Sequence, residues 1–277
     1  MSRCAPAAVI RIASCITTVL MSALVCPAPV LAGAEPQVLV TGTELRLVDA
    51  DGTVRAGDDL VGGELTLRDD YGEHRLRIEA TRLDEHGPPP AIRLYAVKVL
   101  DPASGAWQEL CRPGPDGLTL AMPLPGYFTD DGRYVADAQR FTITCTGGAI
   151  GKCLRFGYRP WAPATNGIPA EALYQTCVRM IRADYCGNGH GWTRNGMPVD
   201  LFDAAGILRE EASPGLSFEA AWGPDGASCV AHVRVPENGS LDDVVRSCPR
   251  LAGKVGAAAC PPRAPAAGDG VLIVNKS

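Results

Sequence analysis

The chain has 277 residues, 46% hydrophobic and 21% charged, which is enough apolar material to bury a core and excludes wholesale disorder. A formal net charge of −5 argues against phosphate-neutralising nucleic-acid binding, and 6% aromatic residues leave little for base-stacking platforms. With 31 glycines and 23 prolines, many turns and short elements are expected rather than a helical bundle.

Residues 1–34 read as an export signal. Arg3 and Arg11 give a positive start, and the apolar run over 12–25 is too short for a membrane span. Small-residue cleavage patterns follow at Val30-Leu31-Ala32 and Ala32-Gly33-Ala34, and the second, cutting before Glu35, has the A-x-A form. The lipoprotein alternative is weaker. Ile12-Ala13-Ser14-Cys15 resembles a lipobox, but Arg11 interrupts the apolar stretch before it, and Cys26 lacks the small preceding residue. The expectation is an exported protein, periplasmic or secreted, with no transmembrane span downstream.

From 35 to 104 the pattern is a β module. Val38-Leu39-Val40 precedes Thr41-Gly42, and Leu45-Arg46-Leu47-Val48 alternates before Asp51-Gly52, a pair that suits a tight hairpin. Residues 64–67 and 74–78 read as strands around Asp70-Tyr71-Gly72, and 93–100 as another after the Gly87-Pro88-Pro89-Pro90 loop. A strand follows at 141–145. The spacing then predicts one central helix over 169–186, with Pro169 in its first turn and Gly187 past its end. Leu173, Cys177, Met180 and Ile181 form its apolar stripe, and Asp184 falls in that stripe, where a carboxylate must be paired or hydrogen-bonded. Further on, 197–202 reads as a strand. Residues 218–222 and 228–235 read as a hairpin around Gly223-Pro224-Asp225-Gly226, and Ser240-Leu241-Asp242-Asp243 as a capped start to a short helix. The Ala/Pro/Gly-rich stretch from 255 opens what is expected to be a flexible tail over 255–277.

Three of the eleven cysteines, Cys4, Cys15 and Cys26, leave with the signal. The remaining eight, Cys111, Cys145, Cys153, Cys177, Cys186, Cys229, Cys248 and Cys260, form an even set that implies up to four disulfides in an exported chain. None lies in a C-x-x-C pair, and spacing alone does not fix the connectivity. Cys177 and Cys186, nine residues apart on one helix, cannot bond to each other, so each is expected to tie the helix to a different neighbour. Cys145 and Cys153 could reach one another across a loop. The cysteine-rich region is placed at 105–254.

Ile181-Arg182-Ala183-Asp184-Tyr185-Cys186-Gly187 resembles the signature of bacterial proteins carrying the ADYC domain. The segment from Cys145 to Cys153, Gly157-Tyr158-Arg159-Pro160-Trp161, Cys177-Val178-Arg179-Met180 and Phe218-Glu219-Ala220-Ala221-Trp222 are similar to the same family. The resemblance covers roughly 105–250 and implies an exported, cysteine-rich domain, but no activity and no catalytic residues to carry over.

Asp184 has two readings: a structural carboxylate holding a loop, with backbone amides or an arginine such as Arg159 or Arg182, or an acid–base group shifted by burial. His190, in the Gly187-Asn188-Gly189-His190-Gly191 loop, is a candidate partner for it. Asn188, Asn195, Asp200 and Asp203 are oxygen ligands of the kind calcium takes, but their spacing matches no EF-hand, and His74, His86, His190 and His232 are scattered. No metal and no cofactor is expected. The stretch from Thr146 to Cys153 approaches a phosphate-binding loop but lacks its first glycine and its Mg²⁺-binding hydroxyl. Trp161, Trp192, Trp222 and Tyr185 could line a groove, but more often plug cores. The expectation is an α+β protein, mainly antiparallel β with one disulfide-anchored helix. It is read as a binding or structural module for an unknown envelope or extracellular ligand. The alternative is a hydrolase of an extracytoplasmic polymer using Asp184 and His190.

Overall fold

Alternating apolar runs separated by turn dipeptides fold as antiparallel strands in the computed structural model, which describes residues 37–277 apart from 70 and 86. The expected export signal with Cys4, Cys15 and Cys26, Asp70 in its expected turn, and His86 lie outside the described residues. Gln37–Thr41, Glu44–Val48 and Val54–Ala56 make a three-stranded sheet. At its second turn the Thr53 amide donates to the Asp51 carboxylate at 2.9 Å, the local bond that makes Asp-Gly a turn.

A second sheet runs in the order Phe141–Cys145, Ala121–Pro125, Arg93–Leu100, Gly72–Leu83, Glu64–Asp69, with Trp107–Glu109 also paired to Arg93–Leu100. Its two-residue period sorts neighbours onto opposite faces. Tyr95, Val97 and Ala121 pack with Leu45, Leu76 and Ile78 in one core, whereas Leu94, Met122 and Leu124 enter a second core with the helices. Both faces of Ala121–Pro125 are therefore covered, and its first four residues are all buried. The Leu45 amide donates to the Tyr95 hydroxyl at 2.9 Å and joins the first two sheets.

Three α-helices are present among the described residues: α1 (Ala149–Arg155), α2 (Ala170–Arg182) and α3 (Leu241–Ser247). The single central helix expected from the sequence is thus one of three. The α3 capping box is present, with the Asp243 amide donating to Ser240 Oγ at 3.2 Å and the Ser240 amide to the Asp243 carboxylate at 2.8 Å. Leu173, Cys177, Met180 and Ile181 are buried on α2. That helix stops at Arg182, short of the expected 186, because Ala183 adopts a left-handed conformation with φ 50°. The Asp184 amide then donates to the Arg179 carbonyl and the Ala183 amide to the Met180 carbonyl, both at 2.9 Å, the two bonds of a Schellman cap. Asp184 therefore lies beyond the helix and not on its stripe.

The last sheet has the order Asp200–Asp203, Ile273–Lys276, Phe218–Gly223, Gly226–Val230. Its second strand corrects the expected flexible tail: Ile273, Val274 and Asn275 are fully buried between two strand partners. A four-residue apolar run after a Pro/Ala/Gly-rich stretch is a weak signal alone, and it becomes a strand only when two partners flank it. Disulfides join Cys111 to Cys145, Cys153 to Cys177 and Cys229 to Cys260, with Cα separations of 5.5, 5.9 and 5.4 Å. Cys145 and Cys153 are each bonded elsewhere and not to one another. The described residues form one compact unit, and the expected junction at 104/105 falls in a turn between two paired strands. No helix among the described residues is long and apolar enough to cross a membrane.

Candidate functional site

The left-handed turn at Ala183 folds Asp184 back onto the last turn of α2, five residues after Arg179. Asp184 Oδ2 accepts from Arg179 Nη1 at 2.6 Å and from the Gly189 amide at 2.8 Å, and Oδ1 accepts from the Asn188 amide at 3.1 Å. Both side chains of the ion pair are at most 1% exposed. The partner is Arg179, not the expected Arg159 or Arg182. Arg159 donates to the Pro88 and Pro90 carbonyls at 2.7 and 2.5 Å, and Arg182 to the Gly189 carbonyl.

Tyr185 is the next plug. Its ring stacks on Trp222 with centroids 5.3 Å apart, and its hydroxyl donates to Glu219 Oε1 at 2.9 Å while accepting from the Arg234 amide at 2.9 Å. Burial, reinforced by the neighbouring Glu219 carboxylate, raises that hydroxyl well above the ordinary phenol range. Arg234 Nε reaches Glu219 Oε2 at 2.9 Å, and its guanidinium also donates to the Met180 and Ile181 carbonyls at 2.8 and 2.9 Å. It thereby satisfies the Ile181 carbonyl, which the end of α2 would leave open, and adds a second donor to the Met180 carbonyl already bonded in the cap. Asn275, on the C-terminal strand, donates to Glu219 Oε2 at 2.6 Å and accepts from Trp222 Nε1 at 2.8 Å. Cys186 and Cys248, expected in disulfides, are instead facing thiols: burial and the adjacent Cys248 thiol push Cys186 up to about 12. Residues 183–186 thus join helix, loop and sheet.

His190 is exposed. Its amide donates to Asn188 Oδ1 at 3.1 Å and its ring meets Trp192 edge-on at 5.4 Å. No hydrogen bond or ion pair among the described residues joins it to Asp184. Asp203 is consumed by the Tyr158 hydroxyl at 2.9 Å and by the amides of Ala205, Ile207 and Leu208, and Asp200 accepts from Ser213 at 2.7 Å. Asn188 Oδ1 accepts from the His190 amide and Asn195 is exposed, and among the described residues no group of three His, Cys, Asp or Glu side chains could hold a metal. Trp192, Trp222 and Tyr185 are core residues, while Trp161 is 38% exposed and lies over Gly42, so the four make no common groove.

A cleft of about 730 Å³ opens between the 114–116 turn, the Thr146–Gly148 loop with α1, the end of α2, and the 191–199 loop. One wall exists because two glycines cross: a Cβ on Gly147 would stand 2.9 Å from Gly114 Cα. Lys152, Arg155, Arg182, Arg194 and Arg234 line it, against one carboxylate, Asp116. Arg155 is held by Asp84 at 2.7 Å and Asp116 at 2.6 Å. Lys152 and Arg194 make no ion pair with a described residue. At the base, Thr146 Oγ1 and Arg182 Nε are buried without a hydrogen-bond partner. Burial pulls Lys152 below the usual lysine range, against the opposing pull of Asp116.

Sequence reasoning missed this cleft. Its residues come from five separated segments, and by sequence the Thr146–Cys153 stretch suggests only an imperfect nucleotide loop and a family resemblance. The sequence signal available was a lysine and two arginines next to glycine-rich turns, which by itself points to a solvated surface as readily as to a site.

Searches of curated proteins and of solved structures return no significant match. The ADYC domain family model matches residues 57–236, well over half of the chain, and starts inside the region read from sequence as a separate β module. The tetrapeptide for which the sequence resemblance was noted is the cap and plug at the end of α2, and the chain belongs to the ADYC-domain family.

Proposed function

We propose that the chain is a binding module acting at or outside the cell envelope, with the cleft at the ends of α1 and α2 as its ligand site. The observation that carries this is the contrast between the two candidate places. Both oxygens of Asp184 are occupied by Arg179 and two backbone amides in a sealed position. The cleft instead presents Lys152 and Arg194, which make no ion pair with a described residue, in a lining of five cations against the single carboxylate Asp116. A catalytic base must reach the proton it removes, and His190 has no orienting contact with Asp184. The volume lies within the range of about 300–1,000 Å³ common for small-molecule sites. Export is supported by the N-terminal signal pattern and by three disulfides, which persist in oxidising compartments.

The test compares native and denatured masses of the protein recovered from the exported fraction, beside an Asn195→Trp variant that fills the cleft. A small molecule retained by the native protein, released on denaturation and absent from the variant is the expected result. Cleavage of peptidoglycan or an exported polysaccharide that disappears in His190→Ala would overturn the reading.

A further inference from the structure

We infer that the cleft recognises an oxyanion, a carboxylate or phosphate carried on a small organic ligand. This rests on the cleft being a ligand site, and adds the chemistry of what enters it.

Charge is the first ground. The chain carries a net −5, yet the cleft lining reverses that sign. Glu219 pairs with Arg234, and Asp84 and Asp116 pair with Arg155, which leaves Lys152, Arg182 and Arg194 without an ion pair to a described residue, although Lys152 lies within the field of Asp116. Three cations sharing one concavity repel one another, and an entering anion relieves that repulsion.

Unmet hydrogen bonding is the second ground. Thr146 is fully buried with Oγ1 unpartnered, and the buried Nε of Arg182 is a donor without an acceptor. Buried donors without partners are rare, because each forfeits the hydrogen bond it had in water. The groups open to the cleft without an ion pair to a described residue are the Lys152 ammonium and the Arg194 guanidinium, while Thr146 Oγ1 and Arg182 Nε lie sealed behind the wall. A carboxylate or phosphate accepts from both of these open cations, whereas a neutral polyol would leave the charges unpaired, and a cation would be repelled.

Size and apolar lining give the third ground. A bare inorganic anion is far smaller than a 730 Å³ space, and Phe156, Ile181, Met197 and Val199 line the remainder. The charged group is therefore one end of a larger molecule, with its body against those side chains. A nucleotide loop plays no part here: α1 has only seven residues, and the strand before it pairs antiparallel, whereas that motif is set in a parallel βαβ unit.

The experiment is calorimetric titration of the mature chain at constant ionic strength with glucose 6-phosphate, glucuronate and glucose. These probes share a sugar body and differ in carrying a phosphate, a carboxylate or no charge. Saturable binding of one or both anions without binding of glucose is expected, and which anion binds identifies the source. Lys152→Met with Arg194→Met should weaken that binding about tenfold or more, as loss of charge-assisted bonds does, with an unchanged urea midpoint. Binding of glucose equal to the anions, anion binding unaltered in the double variant, or no binding of either anion would overturn the inference. The Asn195→Trp mass comparison separates the two levels. A retained neutral ligand lost on filling the cleft sinks the oxyanion and spares the site, whereas no retained ligand and no anion binding sinks both.

Discussion

Replacing Asp184 by alanine removes the acceptor for three donors at once. Arg179 stays buried at 1% exposure, still bonded to the Asp131 carbonyl at 2.6 Å but stripped of the carboxylate with which it makes its ion pair, with Nη2 already unpartnered. Breaking one side of a buried ion pair costs about 3–5 kcal/mol, because the surviving charge is left uncompensated. The Asn188 and Gly189 amides lie near the surface and regain water, so they add about 1 kcal/mol at most. The sum, about 3–6 kcal/mol, is a large share of the roughly 5–15 kcal/mol by which a domain is stable. Asp184→Asn keeps shape and an acceptor and loses the charge, so about 1.5–3 kcal/mol is expected. Urea unfolding followed by the fluorescence of buried Trp222 gives both values by linear extrapolation. A loss below about 1 kcal/mol for the alanine variant would refute the sealed-pair reasoning, because a carboxylate so cheaply removed must already be solvated.

Three other outcomes follow from the same geometry. Gly187 adopts φ 70°, and a Cβ there would stand 2.0 Å from the Asp225 carbonyl, so Gly187→Ala should lower the urea midpoint by the equivalent of about 2–4 kcal/mol through strain and overpacking. Cys186 and Cys248 are positioned to close a fourth disulfide by exchange with an oxidising disulfide, each transfer losing two hydrogens from this chain to reduce the partner. The exported protein should then incorporate no alkylating agent even when denatured, whereas two labels per chain would contradict this. Lys152, with its pKa already lowered by burial, loses its charge before a free lysine does. Sulfate, which does not titrate, should therefore bind more weakly as pH rises from neutrality toward the ordinary value of 10.5, and an unchanged affinity over that window would exclude Lys152 from the site.

The elements legible in sequence were those with local signatures. The strands Arg93–Leu100 and Phe141–Cys145 fall where alternation put them, and the hairpin around residues 223–226 and the Ser240 cap follow from short-range turn and capping chemistry. What could not be read depends on distant partners. Ile273–Lys276 is a strand because Asp200–Asp203 and Phe218–Gly223 flank it, and the helix end at Arg182 is fixed by Ala183 adopting a conformation that residue type rarely takes. For Asp184 the sequence identified the need for a partner but not Arg179, because the helix was extended through the turn that brings the two together. The cleft is invisible for the same reason: an excess of cations over carboxylates around Lys152 and Arg194 is a property of space, not of spacing.

The central claim is a division of labour, with the 183–186 tetrapeptide holding the fold and the cleft holding the ligand. Ligand retention and urea stability measured side by side on Asp184→Asn and Asn195→Trp test it most directly. Asp184→Asn should lose stability yet retain the ligand while folded, and Asn195→Trp should keep its stability and lose the ligand. An Asp184→Asn protein as stable as the parent but unable to retain ligand would contradict it and return Asp184 to the functional site.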